Sequence, residues 1–138
     1  MNAPDFSFEL TYLASERIVR ITTAGRFDFS ANQKIVKAGL EAGRRFGTHL
    51  FLVDHRQTQI LLRSGDIPVA SKVNFILGLN YALRRAFLFD PAVPSHAVIE
   101  QYVALNNSLG LTSKAFVDEQ AAVAWLLADP AQPAAPGD

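Results

Sequence analysis

The hydrophobic residues follow two rhythms. From Phe6 to Ala14 the period is two: Phe6, Phe8, Leu10 and Tyr12 fall on one face, Ser7, Glu9 and Thr11 on the other. Successive side chains of an extended backbone point to opposite faces, so this stretch predicts a half-buried strand. Residues 17–25 alternate again after a tight turn at Ser15-Glu16, and the pair reads as an antiparallel hairpin ended by Gly25.

The rhythm then becomes helical. In FDFSANQKIVKAGLEAGRRFG, Ile35, Val36, Gly39, Leu40, Gly43 and Phe46 share a stripe, with Lys34, Lys37, Glu41, Arg44 and Arg45 mostly off it. Asp28 or Ser30 can cap the start, because a short side-chain oxygen satisfies free backbone N–H groups. Arg44 and Arg45 suit the negative end of the helix dipole, and Gly47 suits the residue after it. Gly39 and Gly43, four apart on the apolar side, let this helix lie close against a sheet.

HLFLV (49–53) is a continuous apolar run, the form expected of a strand covered on both faces. IPVASKVNFILG (67–78) predicts a helix capped by Asp66, with Pro68 in its first turn and Val69, Val73, Ile76 and Leu77 inward. RRAFLFD (84–90) reads as a buried strand closed by Pro91 and Pro94. SHAVIEQYVALNNSLG (95–110) reads as a helix capped by Ser95, with Val98, Tyr102, Leu105 and Leu109 inward and Gly110 as its stop. SKAFVD (113–118) is the last strand. DEQAAVAWLLAD (118–129) is the last helix, capped by Asp118, with Ala121, Ala122, Trp125 and Leu126 inward. Residues 1–5 read as a loose terminus, and residues 130–138, rich in proline and alanine, as a disordered tail on a single domain spanning 1–129. The order ββαβαβαβα predicts an α/β domain: a mixed, mostly parallel sheet with an N-terminal hairpin and four main helices.

Composition narrows the class. A chain of 138 residues with 49% hydrophobic and 19% charged residues fits one globular domain. The absence of cysteine removes disulfides, thiol catalysis and cysteine-bound zinc, and fits a cytoplasmic location. No signal peptide and no run of ~18 apolar residues is present, so the reading is a protein without a membrane span. The net charge is zero but uneven: residues 1–89 hold 12 of the 13 Lys/Arg and 7 of the 13 Asp/Glu. Such a distribution arises by chance on solvated faces, or favours self-association or an acidic partner. The basic residues are scattered, which argues against nucleic acid.

The order of elements, with the closing SKAFVDEQAAVAWL, resembles SpoIIAA-like proteins, which belong with the STAS and lipid-binding SEC14-related domains. The resemblance covers roughly residues 6–128 and implies a SpoIIAA-like fold and a regulatory or lipid-binding role. Anti-sigma-factor antagonists of this group carry a strand ending in Asp, then an Asp-Ser-Ser-Gly motif phosphorylated on its first serine. Asp54 matches the strand-end acid, and Leu62-Arg63-Ser64-Gly65 falls over the motif. Ser64 and Gly65 match its second half. Arg63 stands where the phosphorylated serine would be, so the usual switch is not expected.

Asp54-His55-Arg56 is the most reactive-looking triplet, placed where open α/β sheets bind ligands. Asp54 could orient His55 as a general base, but neighbours on a strand diverge, and the plainer reading has Asp54 accepting backbone N–H bonds. His49, His55 and His96 lack metal-site spacing, and no nucleophile elbow or phosphate-binding glycine loop is present, so no metal or cofactor is expected. Arg84 and Arg85 open a strand; one could meet an anion, but a solvated edge is the plainer reading. Phe75, Tyr81, Phe87, Phe89 and Tyr102 could line a pocket or simply fill the core.

Three functions fit. The first is a non-enzymatic regulatory domain that binds another protein or itself as a homodimer; the resemblance implies that the second and third helices flank the partner surface. The second is a carrier or sensor of a small apolar or amphipathic ligand. The third is a hydrolase using Asp54 and His55. Asp54, His55, Arg56, Arg63 and Ser64 are the candidate ligand or partner loop.

Overall fold

A computed structural model describes residues 4–80 and 82–128. The first residues of the expected loose terminus, Tyr81, and the proline-rich tail lie outside the described residues. The elements are β1 (Ser7–Leu13), β2 (Ile18–Phe27), α1 (Phe29–Phe46), β3 (Leu50–Ile60), α2 (Ile67–Leu77), β4 (Arg84–Leu88), α3 (Ala97–Ser108), β5 (Thr112–Phe116) and α4 (Glu119–Leu127). Strand order in the sheet is the order of the sequence, β1-β2-β3-β4-β5. The β1–β2 pair is antiparallel and the other three are parallel.

Alternation along the central strands divides the core in two. Val19, Ile21, Phe51, Val53 and Phe87 face one way, onto Ile35 of α1 and Ile99 and Tyr102 of α3. Ile18, Leu50, Leu52, Ala86 and Leu88 face the other way, onto Ala122 and Leu126 of α4. The sheet thus carries three helices on one side and one on the other.

The caps of α1 and α4 follow the expected chemistry. Asp28, rather than Ser30, accepts from the Ala31 N–H at 2.9 Å, and Asp118 accepts from the Ala121 N–H at 2.8 Å. Gly47 ends α1 in the left-handed conformation at φ +66°. Asp66 behaves differently: its carboxylate turns back to the Arg63 N–H at 2.9 Å and does not cap α2. Ser95 likewise leaves its helix uncapped and accepts the Ile60 N–H at 3.1 Å.

Gly25 does not end β2. The strand runs on to Phe27, and the N-terminal segment crosses Gly25 closely, with the Arg26 N–H bonded to the Pro4 carbonyl at 3.0 Å. A Cβ at Gly25 would lie 2.7 Å from that carbonyl oxygen, and φ there is +83°, so only glycine fits without strain. The backbone of Pro4 and Asp5 is therefore held against β2, not loose, while both residues stay exposed. The longer β2 provides a ladder for a longer β3, which extends seven residues past the expected Val53 to Ile60.

Two helices turn a different face inward than their apolar spacing predicts. α2 buries Ile67, Ala70, Ser71 and Asn74, while Val69 is 55% and Ile76 75% exposed. α3 buries Ile99, Tyr102, Val103 and Asn106, and leaves Leu109 at the surface. On α4, Ala122 and Leu126 are buried, Trp125 is half-buried and Ala121 is exposed. A buried polar network selects the inward faces of α2 and α3. Asn32 donates to Asn74 at 2.9 Å, Asn74 to the Tyr102 hydroxyl at 2.5 Å, and Asn106 to Ser71 at 3.4 Å. Buried amides need such partners, and satisfying them outweighs burying one more aliphatic side chain.

Candidate functional site

The five candidate residues fall in three places. Asp54, His55 and Arg56 lie within β3 rather than in a loop, and Arg63 and Ser64 lie at the exposed entry to α2. The Ser64 hydroxyl donates to Gln101 of α3 at 2.7 Å.

Asp54 and Arg56 point to the α4 side. Arg56 donates through Nε and Nη2 to Asp54 at 2.9 and 2.8 Å. Arg20 of β2 reaches Asp54 at 3.1 Å and Glu119 at 2.6 Å, and Arg56 also meets Glu119 at 3.2 Å. Two cations and two carboxylates close a neutral cluster that ties the first turn of α4 to the sheet. Burial raises the pKa of the Asp54 carboxyl, but bonds from the Arg56 side chain and backbone and the Arg20 charge outweigh it, and the net shift is downward. Arg20 and Arg56 are shifted upward, chiefly by hydrogen bonds to Glu119 and Asp54 respectively.

His55 points to the opposite side, so it forms no dyad with Asp54. A bulge lies at this point: Thr22 pairs with Asp54 and Ala24 with Gln57, so His55 and Arg56 together oppose Thr23. The bulge brings Thr23 against His55. The Thr23 hydroxyl donates to the Asp54 carbonyl at 2.9 Å and lies 2.8 Å from His55 Nδ1. Threonine has one hydroxyl proton, so Nδ1 must be the donor in the second bond. Nε2 is then an unprotonated acceptor. Burial, and secondarily His96, lower the His55 pKa to about 3, so the ring is neutral. His96 is a structural tie: the Asp90 N–H donates to its Nδ1, and its Nε2 donates to the Thr58 carbonyl at 2.8 Å.

His55 lines a cavity of about 60 Å³ between the sheet and α1, α2 and α3. Its walls are mostly apolar, including Ile21, Ile35, Val53 and Phe87. Arg85 also lines it, only 6% exposed. Its Nη1 donates to the Tyr102 hydroxyl and its Nη2 to Asn106, both at 3.2 Å. Neither arginine at the start of β4 is a solvated edge residue. Arg84 lies over the Trp125 ring, its Cζ 3.7 Å from the centroid, on the α4 side. Phe87 and Tyr102 line the cavity, whereas Phe89 belongs to the core and Phe75 lies at the surface.

Sequence reasoning named Arg85 but preferred a solvated edge for it, and it missed Thr23 and the asparagine network. A buried arginine reads as an edge residue until its strand is flanked on both sides. Among the described residues no three His, Asp or Glu side chains cluster as a metal site requires. No helix among them is long and apolar enough to cross a membrane.

No family model matches the sequence, and no curated protein matches it. A solved structure does resemble the fold: an uncharacterized protein of the DUF3478 family with a SpoIIAA-like fold from Shewanella loihica PV-4. The two share 15% identity with a TM-score of 0.55, over 91% of this chain and 97% of that one. The chain has a SpoIIAA-like fold. Within that fold the Asp54-His55-Arg56 triplet is divided by the sheet: Asp54 and Arg56 hold α4, and His55 opens into a cavity.

Proposed function

We propose that this SpoIIAA-like domain works without catalysis, by holding a small ligand with an apolar body in the cavity under α1, α2 and α3. One observation carries the reading: a mostly apolar cavity has placed polar side chains on its wall, among them His55 and Arg85, and no carboxylate. Apolar walls with a few placed polar groups are the make-up of a small-molecule site, the polar groups fixing the ligand's orientation. Native mass spectrometry of freshly purified protein, with a denatured control, tests this. An extra mass lost on denaturation supports the reading; bare protein that gains no thermal stability from any small organic molecule in a screen overturns it.

A second reading has its own observation. Val69 and Ile76 make one side of α2 an exposed apolar stripe, which favours a protein partner or a second copy of the chain. Under this reading the ligand cavity and the α2 surface belong to one regulatory domain, and a cytoplasmic homodimer is its simplest form.

A further inference from the structure

Arg85 is a buried cation without an anion. No Asp or Glu lines the cavity it faces, and among the described residues no carboxylate pairs with it. Its hydrogen-bond partners are a phenol and an amide, both at 3.2 Å. The Phe87 and Tyr102 rings, with centroids 5.1 and 5.7 Å from its Cζ, offer their negative faces. A guanidinium is matched in charge and shape by a carboxylate, and neutral partners leave it undercompensated in a low-dielectric site. The cavity therefore combines apolar walls, a permanent positive charge and no competing negative charge.

The other polar group is of the opposite kind. His55 Nε2 is a lone-pair acceptor, because Nδ1 gives its proton to Thr23. Both groups contact the same ring: the Phe87 centroid is 6.1 Å from that of His55 and 5.1 Å from Arg85 Cζ. A molecule lying along Phe87 would meet a cationic donor at one end and an acceptor at the other. Size limits it further. A water-sized group needs ~10–15 Å³ of such space, so about 60 Å³ admits roughly four to six such groups, the size of a short chain.

Resting on the ligand reading above, we propose that the cavity takes a short-chain carboxylate with a hydroxyl at its far end. The carboxylate is held by Arg85 and the hydroxyl donates to His55 Nε2. A longer lipid is excluded by volume, and a cationic ligand by Arg85.

Isothermal titration calorimetry with three probes tests the assignment: butyrate, its terminally hydroxylated counterpart, and n-butanol. The expected order of affinity is hydroxybutyrate, then butyrate, then butanol, with at least about tenfold between butyrate and butanol. Arg85→Met removes the charge with little change in volume and is expected to erase the preference for butyrate over butanol. His55→Phe keeps an aromatic ring beside Phe27 and Phe87 and is expected to reduce hydroxybutyrate to the affinity of butyrate. It provides the test if Arg85→Met fails to fold. Butanol binding as tightly as butyrate would overturn the carboxylate assignment and leave the cavity reading standing. No binding by any probe would also overturn it; a retained mass in the native spectrum would then show whether the cavity reading survives.

Discussion

Gly43 of α1 and Phe51 of β3 meet so closely that a Cβ on Gly43 would lie 2.8 Å from Phe51 Cζ. One turn earlier, a Cβ on Gly39 would find its nearest neighbour, Ile21 Cδ1, at 3.4 Å. The two glycines look alike in sequence and differ in what they permit. Gly43→Ala gains ~1 kcal/mol of helix propensity but forces overpacking that costs about 1–3 kcal/mol. A net loss of about 1 kcal/mol is expected. Gly39→Ala has room, and is expected to be neutral or up to about 1 kcal/mol more stable. Urea denaturation of both variants checks the difference in sign.

Replacing Asp54 by alanine leaves Arg20 and Arg56 to share Glu119 alone. Their guanidinium groups remain partly solvated, so the cost is below that of a fully buried pair: about 1–3 kcal/mol. The depressed pKa of Asp54 adds a pH signature. Its contribution is present above the ordinary value of 3.8 and is lost as pH falls below it. Chemical denaturation of Asp54→Ala against the parent at pH 7 and pH 3 should show a gap that narrows with acid.

His55 produces a separate acid limb at higher pH. The unfolded ring binds a proton near pH 6.5, and the folded ring only near pH 3. Stability is therefore full above pH 6.5 and falls as pH drops toward 3, by on the order of 1 kcal/mol per pH unit. His55→Phe should flatten this limb between pH 6 and 4. An unchanged slope would mean that the ring is protonated in the folded protein.

The α2 surface makes a prediction about assembly. Val69→Lys with Ile76→Lys places charges on an exposed face and should change monomer stability by no more than about 0.5 kcal/mol. If that face is covered by a second copy, light scattering will show a dimer for the parent and a monomer for the double variant. Equal masses would remove the homodimer from consideration.

The parts of the fold that were legible in sequence are those in which each local signal stands alone. α1 has one apolar stripe, an aspartate before it and a glycine after it. The hairpin alternates cleanly, and α4 begins at an aspartate that does cap it. α2 was misread because it is apolar around most of its circumference, so spacing alone selects no face. Ser71 and Asn74 select it, by bonding to Asn106 and Tyr102 across helix boundaries. β3 was cut short at Asp54 because a polar run looks like a loop. Here the polar side chains pair with Arg20, Thr23 and Glu119, partners 32 to 63 residues away. The triplet's residues could be named from the sequence, but their division between the two sides of the sheet, and the burial of Arg85 beside the cavity, needed the fold.

Among the described residues, α4 is the one helix on its side of the sheet. Leu50, Leu52 and Leu88 all precede residues 119–127 in the chain, so they are synthesised before the helix that covers them. Until then one face of an otherwise complete sheet is bare leucine and alanine, with a sticky surface available to any neighbour. Chains stopped at Asp118 should accumulate in the insoluble fraction, and a nascent chain of that length is a natural client for a chaperone. The nine residues of α4 therefore close this side of the sheet, and substitutions there should lower yield more than they lower melting temperature.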